Sequence, residues 1–315
     1  MVLNGKGNQY GISKKTQALV LDTAARLNYT PNKFAKSLRT GKSYFIGLIV
    51  SDISNPFYST IAKIVEASLF ESGYNLMVCS TDENEEREKL LVEMMVNQQG
   101  VDGLIVSSVL QHADFYEQAR FSKVPMVFID RVVPLHKANY ILADNYGGAI
   151  QLVSQLIQQN CKKIACFAIT PLHLSTIEDR INGYKKALSN AGLPIESDMI
   201  RSIGFASIAS DVEKELRGFM ASNTLPDAIF ALNNHIAVTL LKLIKQKEFS
   251  RFEKVKIACF DDIDLFNIID KPVTSLAQPV EKIGKLSAEK LLGIIAGTHT
   301  LSTSEVLPTH LIARV

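Results

Sequence analysis

Few side chains in this sequence of 315 residues stand at the spacings that chemistry demands. Gly41-Lys42-Ser43 imitates the end of a phosphate-binding P-loop, but Lys36 occupies the required first glycine position and the triplet precedes an apolar run instead of following one. Gly5, Gly7 and Gly11 are wrongly spaced for a dinucleotide fingerprint. There is no Gly-x-Ser-x-Gly elbow, no His-Glu-x-x-His and no Cys/His zinc cluster. The histidines (His112, His136, His173, His235, His299 and His310) are scattered, which suits surface or loop roles. Cys79, Cys161, Cys166 and Cys259 lie in apolar stretches without a Cys-x-x-Cys pair and read as free thiols. No cofactor or metal is therefore expected, and an enzyme lacks its nucleophile, acid–base pair or cofactor loop. Two features suit a polar ligand instead. Asp261-Asp262 ends an apolar run, where hydrogen bonding fits better than a metal, and the planar fork of Arg180 can chelate adjacent hydroxyls or a carboxylate.

The elements that must position these groups are visible from residue 44 onward. Short β-rich runs, Phe45–Val50, Asn75–Ser80, Gly103–Val106, Met126–Asp130, Lys163–Ala168, Ile200–Gly204, Ala228–Leu232 and Lys256–Phe260, alternate with longer amphipathic stretches. The latter, Tyr58–Ser72, Glu85–Gln99, Gly147–Gln159, Arg180–Ala191 and Ala209–Ala221, are long enough for crossover helices. Several runs are almost wholly apolar, as parallel strands covered on both faces must be. Two successive βαβ series imply an α/β fold of two doubly wound, Rossmann-like lobes. A ligand crevice is expected at the carboxyl ends of their strands, with the first passage between lobes near Ala143–Gly147.

Ahead of the lobes lies a small helical head. Ser13 is a candidate N-cap, and Thr16–Leu27 places Leu19, Val20, Ala24 and Leu27 on one helical face. Asn28-Tyr29-Thr30-Pro31 breaks that helix, a second short one is expected over 32–38, and residues 39–43 read as a linker. Residues 1–43 carry eight basic groups against Asp22 alone, a balance of +7, whereas the rest holds 26 basic and 31 acidic groups, a balance of −5. A basic head on an acidic body fits a polyanion contact at one end, although a solvated surface run has the same composition. With 47% apolar and 21% charged residues the chain has a globular balance. No apolar run reaches the ~18 residues of a membrane span, and no secretory signal is visible, so a cytoplasmic protein without membrane contact is expected.

Ordered motifs then make the resemblance specific. Residues 2–7, Ile12-Ser13, residues 28–32 and Ala35-Lys36-Ser37-Leu38-Arg39-Thr40-Gly41 resemble the head of the LacI-type regulators, the lactose and purine repressor family. The likeness continues through residues 46–57, 100–106, Phe128-Ile129-Asp130-Arg131, Asp144-Asn145, Arg180-x-x-Gly183-Tyr184, Asp261-Asp262 and residues 274–279. Relatives normally begin earlier, with the first helix and the recognition helix of a helix-turn-helix. An upstream coding segment is accordingly expected. Asn160-Cys161 stands where relatives often have Gly-His, Cys259 where glycine is usual, and Asn234-His235 where an acid often follows the matched asparagine.

The resemblance implies a periplasmic-binding-protein-like body. The expected domains are a partial DNA-binding head (1–30), a hinge helix and linker (31–43), a first lobe (44–143 plus 277–303) and a second (144–276 plus 304–315). It implies effector-binding roles for Arg180, Asp261, Asn233, Asn55, Phe57, Phe205, Gln278 and, more weakly, Asp130. Each of these also has an ordinary alternative as a cap, an interlobe bond or a packing residue. By the same likeness Asn4 lies near DNA phosphates, and Ala35 and Leu38 enter the minor groove as a wedge. Lys33, Lys36 and Arg39 supply salt-dependent phosphate contacts, and Phe34 faces a partner hinge. The implied protein is a homodimeric transcriptional regulator, a repressor, binding a pseudo-palindromic operator and a small polar effector, most simply a sugar. A stand-alone sugar-binding protein resembling periplasmic receptors is the alternative, against which the basic head argues.

Overall fold

The computed structural model describes residues 2–27, 29, 41–299 and 302–314. The first lobe is a six-stranded parallel sheet of β1 (Phe45–Val50), β2 (Asn75–Ser80), β3 (Gly103–Val106), β4 (Met126–Ile129), β5 (Tyr140–Ala143) and β11 (Ser304–Leu307). Its spatial order is β11-β5-β4-β3-β1-β2. The second lobe repeats the plan with β6 (Ile164–Ile169), β7 (Ile200–Ile203), β8 (Ala228–Ala231), β9 (Lys256–Phe260), β10 (Val273–Ala277) and β12 (His310–Ile312), in the order β12-β10-β9-β8-β6-β7. There β12 alone runs antiparallel, against β10.

Strand β1 shows why its sequence is so uniformly apolar. Ile46, Leu48 and Val50 pack on one face with α2 (Pro56–Glu71) and α8 (Val280–Ile295), while Ile49 packs on the other with Val92 and Met95. Both faces are covered, so both sets of alternating side chains are apolar. Val92 belongs to α3 (Glu85–Glu93), which continues through Gln98 as a π-helical turn. In the second lobe α4 (Asn145–Gln158) and α5 (Ser175–Asn190) pack against each other on one side of the sheet, and α6 (Ile208–Ala221) and α7 (Asn234–Ile244) pack together. The core between them is rich in phenylalanine: Phe167 and Phe219 stack with ring centroids 6.4 Å apart, and Phe230 and Phe260 are fully buried. Each such side chain stabilises the fold by about 1.5–3 kcal/mol relative to exposure.

The chain passes between lobes after Ala143, around Gln278 and after Leu307. The last passage corrects the expected boundary before residue 304. Ser304–Leu307 pairs in parallel with Tyr140–Ala143, so these four residues complete the first sheet and only β12 joins the second. Five of the expected helices form with shifted ends. Helix α5 begins at Ser175, well before the expected Arg180, which places Arg180 inside the helix and not at its start. Strands β5, β10, β11 and β12 and helices α7 and α8 add to the elements read from periodicity.

In the head, α1 (Lys14–Arg26) is capped by Ser13, whose Oγ accepts from the Thr16 N–H at 3.2 Å. The expected apolar face is there but uncovered: no residue of α1 is buried, and Leu19 and Leu27 are exposed. Gln17 Nε2 ties the helix to the preceding turns by donating to Asn8 Oδ1 (2.9 Å) and the Ile12 carbonyl (2.7 Å). The expected second helix and the positions Lys33, Phe34, Ala35, Lys36, Leu38 and Arg39 lie outside the described residues, as does the side chain of Asn4. All four cysteines are free; Cys161, Cys166 and Cys259 are buried and Cys79 is half-buried.

Candidate effector site

Strand ends of both lobes converge on one crevice. From the first lobe come Asn55 and Phe57 at the start of α2, and Asp130 directly after β4. The second lobe supplies Arg180 from α5, Phe205 after β7, Asn233 after β8, Asp261 after β9, and Gln278 at the second passage between lobes. The structure thus brings all eight sequence-expected residues to the lining of a single cavity. Its volume is about 50 Å³, room for roughly three to five waters.

The motif around Arg180 shows how the sequence fixes the site. Tyr184 anchors α5 to its own lobe by donating from its hydroxyl to the Ile164 carbonyl of β6 at 2.7 Å. Gly183 faces α4, where a Cβ would lie 2.5 Å from the Tyr146 carbonyl oxygen and 2.7 Å from Ala149 Cβ. Only a bare Cα allows the two helices to approach so closely. One turn earlier Arg180 reaches the crevice, buried, with its guanidinium 3.7 Å from the centroid of the Phe260 ring. Its Nε donates to Asn145 Oδ1 at 2.8 Å and its Nη1 to the Leu232 carbonyl at 2.6 Å. No partner is found for its Nη2 among the described residues, which leaves one edge of the fork for a ligand.

Asn55 and Asn233 combine their ordinary and expected positions. Asn55 Oδ1 caps α2 by accepting from the Phe57 N–H at 3.0 Å, and Asn233 Oδ1 caps α7 by accepting from the Ile236 N–H at 3.0 Å. Both line the crevice. The adjacent acids Asp261 and Asp262 part company. Asp262 is bound by the Ser275 hydroxyl (2.6 Å) and by the Arg314 guanidinium (2.9 Å). Asp261 is buried in the crevice and accepts from Gln278 Nε2 at 2.6 Å. Burial pushes its carboxyl up to about 6, with Arg180 and Gln278 opposing part of that rise.

Several lining groups escaped sequence reading. The Tyr58 hydroxyl donates to Asp130 Oδ2 at 2.8 Å, and Ser107 Oγ donates to the same oxygen at 3.2 Å. Burial raises the Tyr58 phenol well above its usual value, so it stays a donor. Arg131 forms a bidentate pair with Glu83 at 2.7 and 2.5 Å, both side chains being buried. Burial alone would lower the Arg131 guanidinium, but Glu83, Tyr58 and Asp130 outweigh it and hold it raised. The sequence signal for Arg131 was its place beside Asp130. Glu83 had none, because it sits in a loop where Asp82 and Glu83 both adopt positive φ.

The lobes touch across the crevice. Asn234 Nδ2 donates to Asn55 Oδ1 at 2.9 Å, the Val132 N–H donates to Ser175 Oγ at 2.9 Å, and His173 Nε2 lies 3.1 Å from the Val109 carbonyl. A second cavity of about 410 Å³ adjoins the first and shares Phe57, Asp261 and Gln278 with it. Among the described residues no cluster of side chains is suited to a metal ion, and no helix is long and apolar enough to cross a membrane.

Known proteins resemble this chain in sequence and fold. Residues 43–313 match the family model of periplasmic binding proteins and the sugar binding domain of the LacI family. The ribose operon repressor of Escherichia coli K12 is 30% identical over 288 residues, covering 89% of this chain and 84% of that one. A periplasmic binding protein/LacI transcriptional regulator from Alkaliphilus metalliredigens, solved with D-xylulofuranose, is 26% identical with a TM-score of 0.74, over 86% of this chain and 98% of its own. The Lac repressor dimer bound to operator and an anti-inducer superposes with a TM-score of 0.83 over 99% of this chain and 93% of its own, at 23% identity, a likeness of fold.

Proposed function

The chain belongs to the LacI family, and on that premise we propose that it is a DNA-binding transcriptional repressor whose operator affinity is set by a sugar or sugar derivative held between its lobes. The observation that carries this reading is the meeting of Arg180 and Asp261 from the second lobe with Asn55 and Asp130 from the first around one cavity. A ligand bridging those groups stabilises the closed arrangement in proportion to its preference for closed over open lobes, and by no other route. The names of relatives, a ribose operon repressor among them, support the same assignment.

The DNA end is carried by the basic head. Lys33, Lys36 and Arg39 are the proposed phosphate contacts and Asn4 a further one. Ala35 and Leu38 are the proposed minor-groove pair, and Phe34 faces the partner hinge of a homodimer. Lobe closure changes the spacing of the two heads on a pseudo-palindromic operator. No catalytic residue and no cofactor is proposed.

The test joins the two ends. Duplex fragments from upstream of the protein's own reading frame are titrated by anisotropy at about 50 and about 200 mM salt, with and without sugars that raise the protein's Tm. Salt-sensitive binding altered by such a sugar supports the repressor. A sugar that raises Tm without any fragment being bound turns the assignment to a stand-alone sugar-binding protein.

A further inference from the structure

Charge in the crevice is unbalanced. Four carboxylates, Asp52, Glu83, Asp130 and Asp261, line it against two guanidiniums, Arg131 and Arg180, and His235 is the remaining ionisable cation-forming group. Both guanidiniums are already engaged. Arg131 spends two N–H groups on Glu83 and lies 3.4 Å from Asp130, and Arg180 spends two on Asn145 and Leu232. Two of the helix starts that border the crevice carry side-chain caps, while α5 and α6 begin without one. Asn55 and Asn233 cap α2 and α7, and at the start of α6 the Asp211 carboxylate takes the Gly204 N–H and the Ser207 hydroxyl. Against these four carboxylates a dianionic group would find one unengaged guanidinium edge, Arg180 Nη2, too little charge to neutralise it.

Hydrogen-bonding capacity leans the same way. Asn234 is 2% exposed, and among the described residues neither its Oδ1 nor the buried Gln278 Oε1 has a hydrogen-bond partner. The orientation of each amide is fixed by its neighbour. Asn234 Nδ2 donates to Asn55 Oδ1, which the Phe57 N–H already marks as an acceptor, and Gln278 Nε2 donates to Asp261. Both orphan oxygens therefore need donors, and both residues line the cavity that continues from the crevice past Phe57. Hydroxyl groups supply such donors, whereas a phosphate dianion only accepts.

We infer that the effector is an uncharged, polyhydroxylated sugar and that the crevice discriminates against the phosphate ester of that sugar. The inference rests on the sugar-effector reading above and names its charge class. Selectivity comes from Asp130 and Asp261, which welcome hydroxyl donors and repel a nearby anion, together with the unpaired oxygens of Asn234 and Gln278.

The test uses matched pairs on the full chain at pH 8: D-ribose and ribose 5-phosphate, D-fructose and fructose 1-phosphate, D-glucose and glucose 6-phosphate. Isothermal titration and thermal shift are read for each, in the parent protein and in Asp130→Asn. The expected result is that in any responding pair the free sugar binds at least about tenfold more tightly than its ester, and that Asp130→Asn narrows this ratio. A thermal melt of Asp130→Asn without ligand checks that it folds. An ester that binds more tightly than its sugar, or a ratio unmoved by Asp130→Asn, overturns the inference while leaving the sugar-effector reading intact. Silence from both members of every pair removes that reading and the inference with it.

Discussion

Asp130 and Asp261 occupy equivalent places in the two lobes, each directly after the fourth strand in its lobe's sequence. Both have positive φ, 65° and 92°, and each donates its backbone N–H to the neighbouring strand at 3.1 Å, to Ile141 and Leu276 respectively. Aspartate is one of the few residues other than glycine that visits this region at modest cost. The twist aims both carboxylates into the crevice from opposite sides, so local backbone conformation does the aiming.

Replacing Asp261 with asparagine separates stability from binding. Its carboxyl is raised from 3.8 to about 6, so its stabilising contribution is fully present below the lower value and lost as pH rises through the upper one. At pH 8 the buried charge therefore costs at most about 3 kcal/mol. Asp261→Asn is expected to be more stable than the parent at pH 8 by about 1–3 kcal/mol. Its stability should also vary less between pH 4 and 6, while its response to sugar is lost. Urea denaturation at several pH values, with and without ligand, checks both halves.

Arg180→Ala should fail on both counts. It strips Asn145 Oδ1 and the Leu232 carbonyl of their donor and leaves Asp261 buried without its opposing charge. A loss of about 2–4 kcal/mol is expected, together with loss of any sugar-induced rise in Tm. Arg180→Lys keeps the charge but not the fork, so it should recover part of the stability and little of the binding.

Gly183→Ala tests the helix contact that places Arg180. The added methyl meets backbone at the Tyr146 carbonyl, which has no freedom to swing aside. About 1–3 kcal/mol of destabilisation is expected, with weakened sugar binding even though residue 183 does not line the crevice. Unchanged affinity alongside lower stability would show that α5 shifts without moving Arg180.

Asn234→Ala removes the side-chain bond that crosses to Asn55. One such bond contributes about 0.5–1.5 kcal/mol, so sugar affinity should fall about threefold to tenfold through the closed state, with little change in unliganded stability. Small-angle scattering of the unliganded variant, set beside the parent, should show a more extended particle.

How much of this was legible in the sequence depended on burial. Strands such as Phe45–Val50 announce themselves because both faces are covered, and Arg180-x-x-Gly183-Tyr184 announces the site because each member has a separate mechanical duty. Arg180 and Asp261 stand out by their chemistry, the other crevice residues follow from motif resemblance, and no periodicity gathers the eight together. The Arg131–Glu83 pair was beyond reach because it joins two loops 48 residues apart. Ser304–Leu307 and His310–Ile312 eluded notice for the opposite reason. They are short sheet-edge strands with half-exposed patterns, so their composition resembles that of a loop.

Those two edge strands bear on how the protein comes to be made. The first sheet is begun by residue 45, yet its outer strand and the packing helix α8 are encoded after all of the second lobe but its last strand. On a ribosome the early half emerges with Ile46, Leu48 and Val50 awaiting partners at Ile283 and Leu291. The second lobe, lacking only its antiparallel edge, is nearly whole by residue 277. The core of the second lobe is thus assembled before that of the first, although the first lobe is begun earlier. The half translated first has the longer wait, and it is the half a nascent-chain chaperone would have most reason to shield.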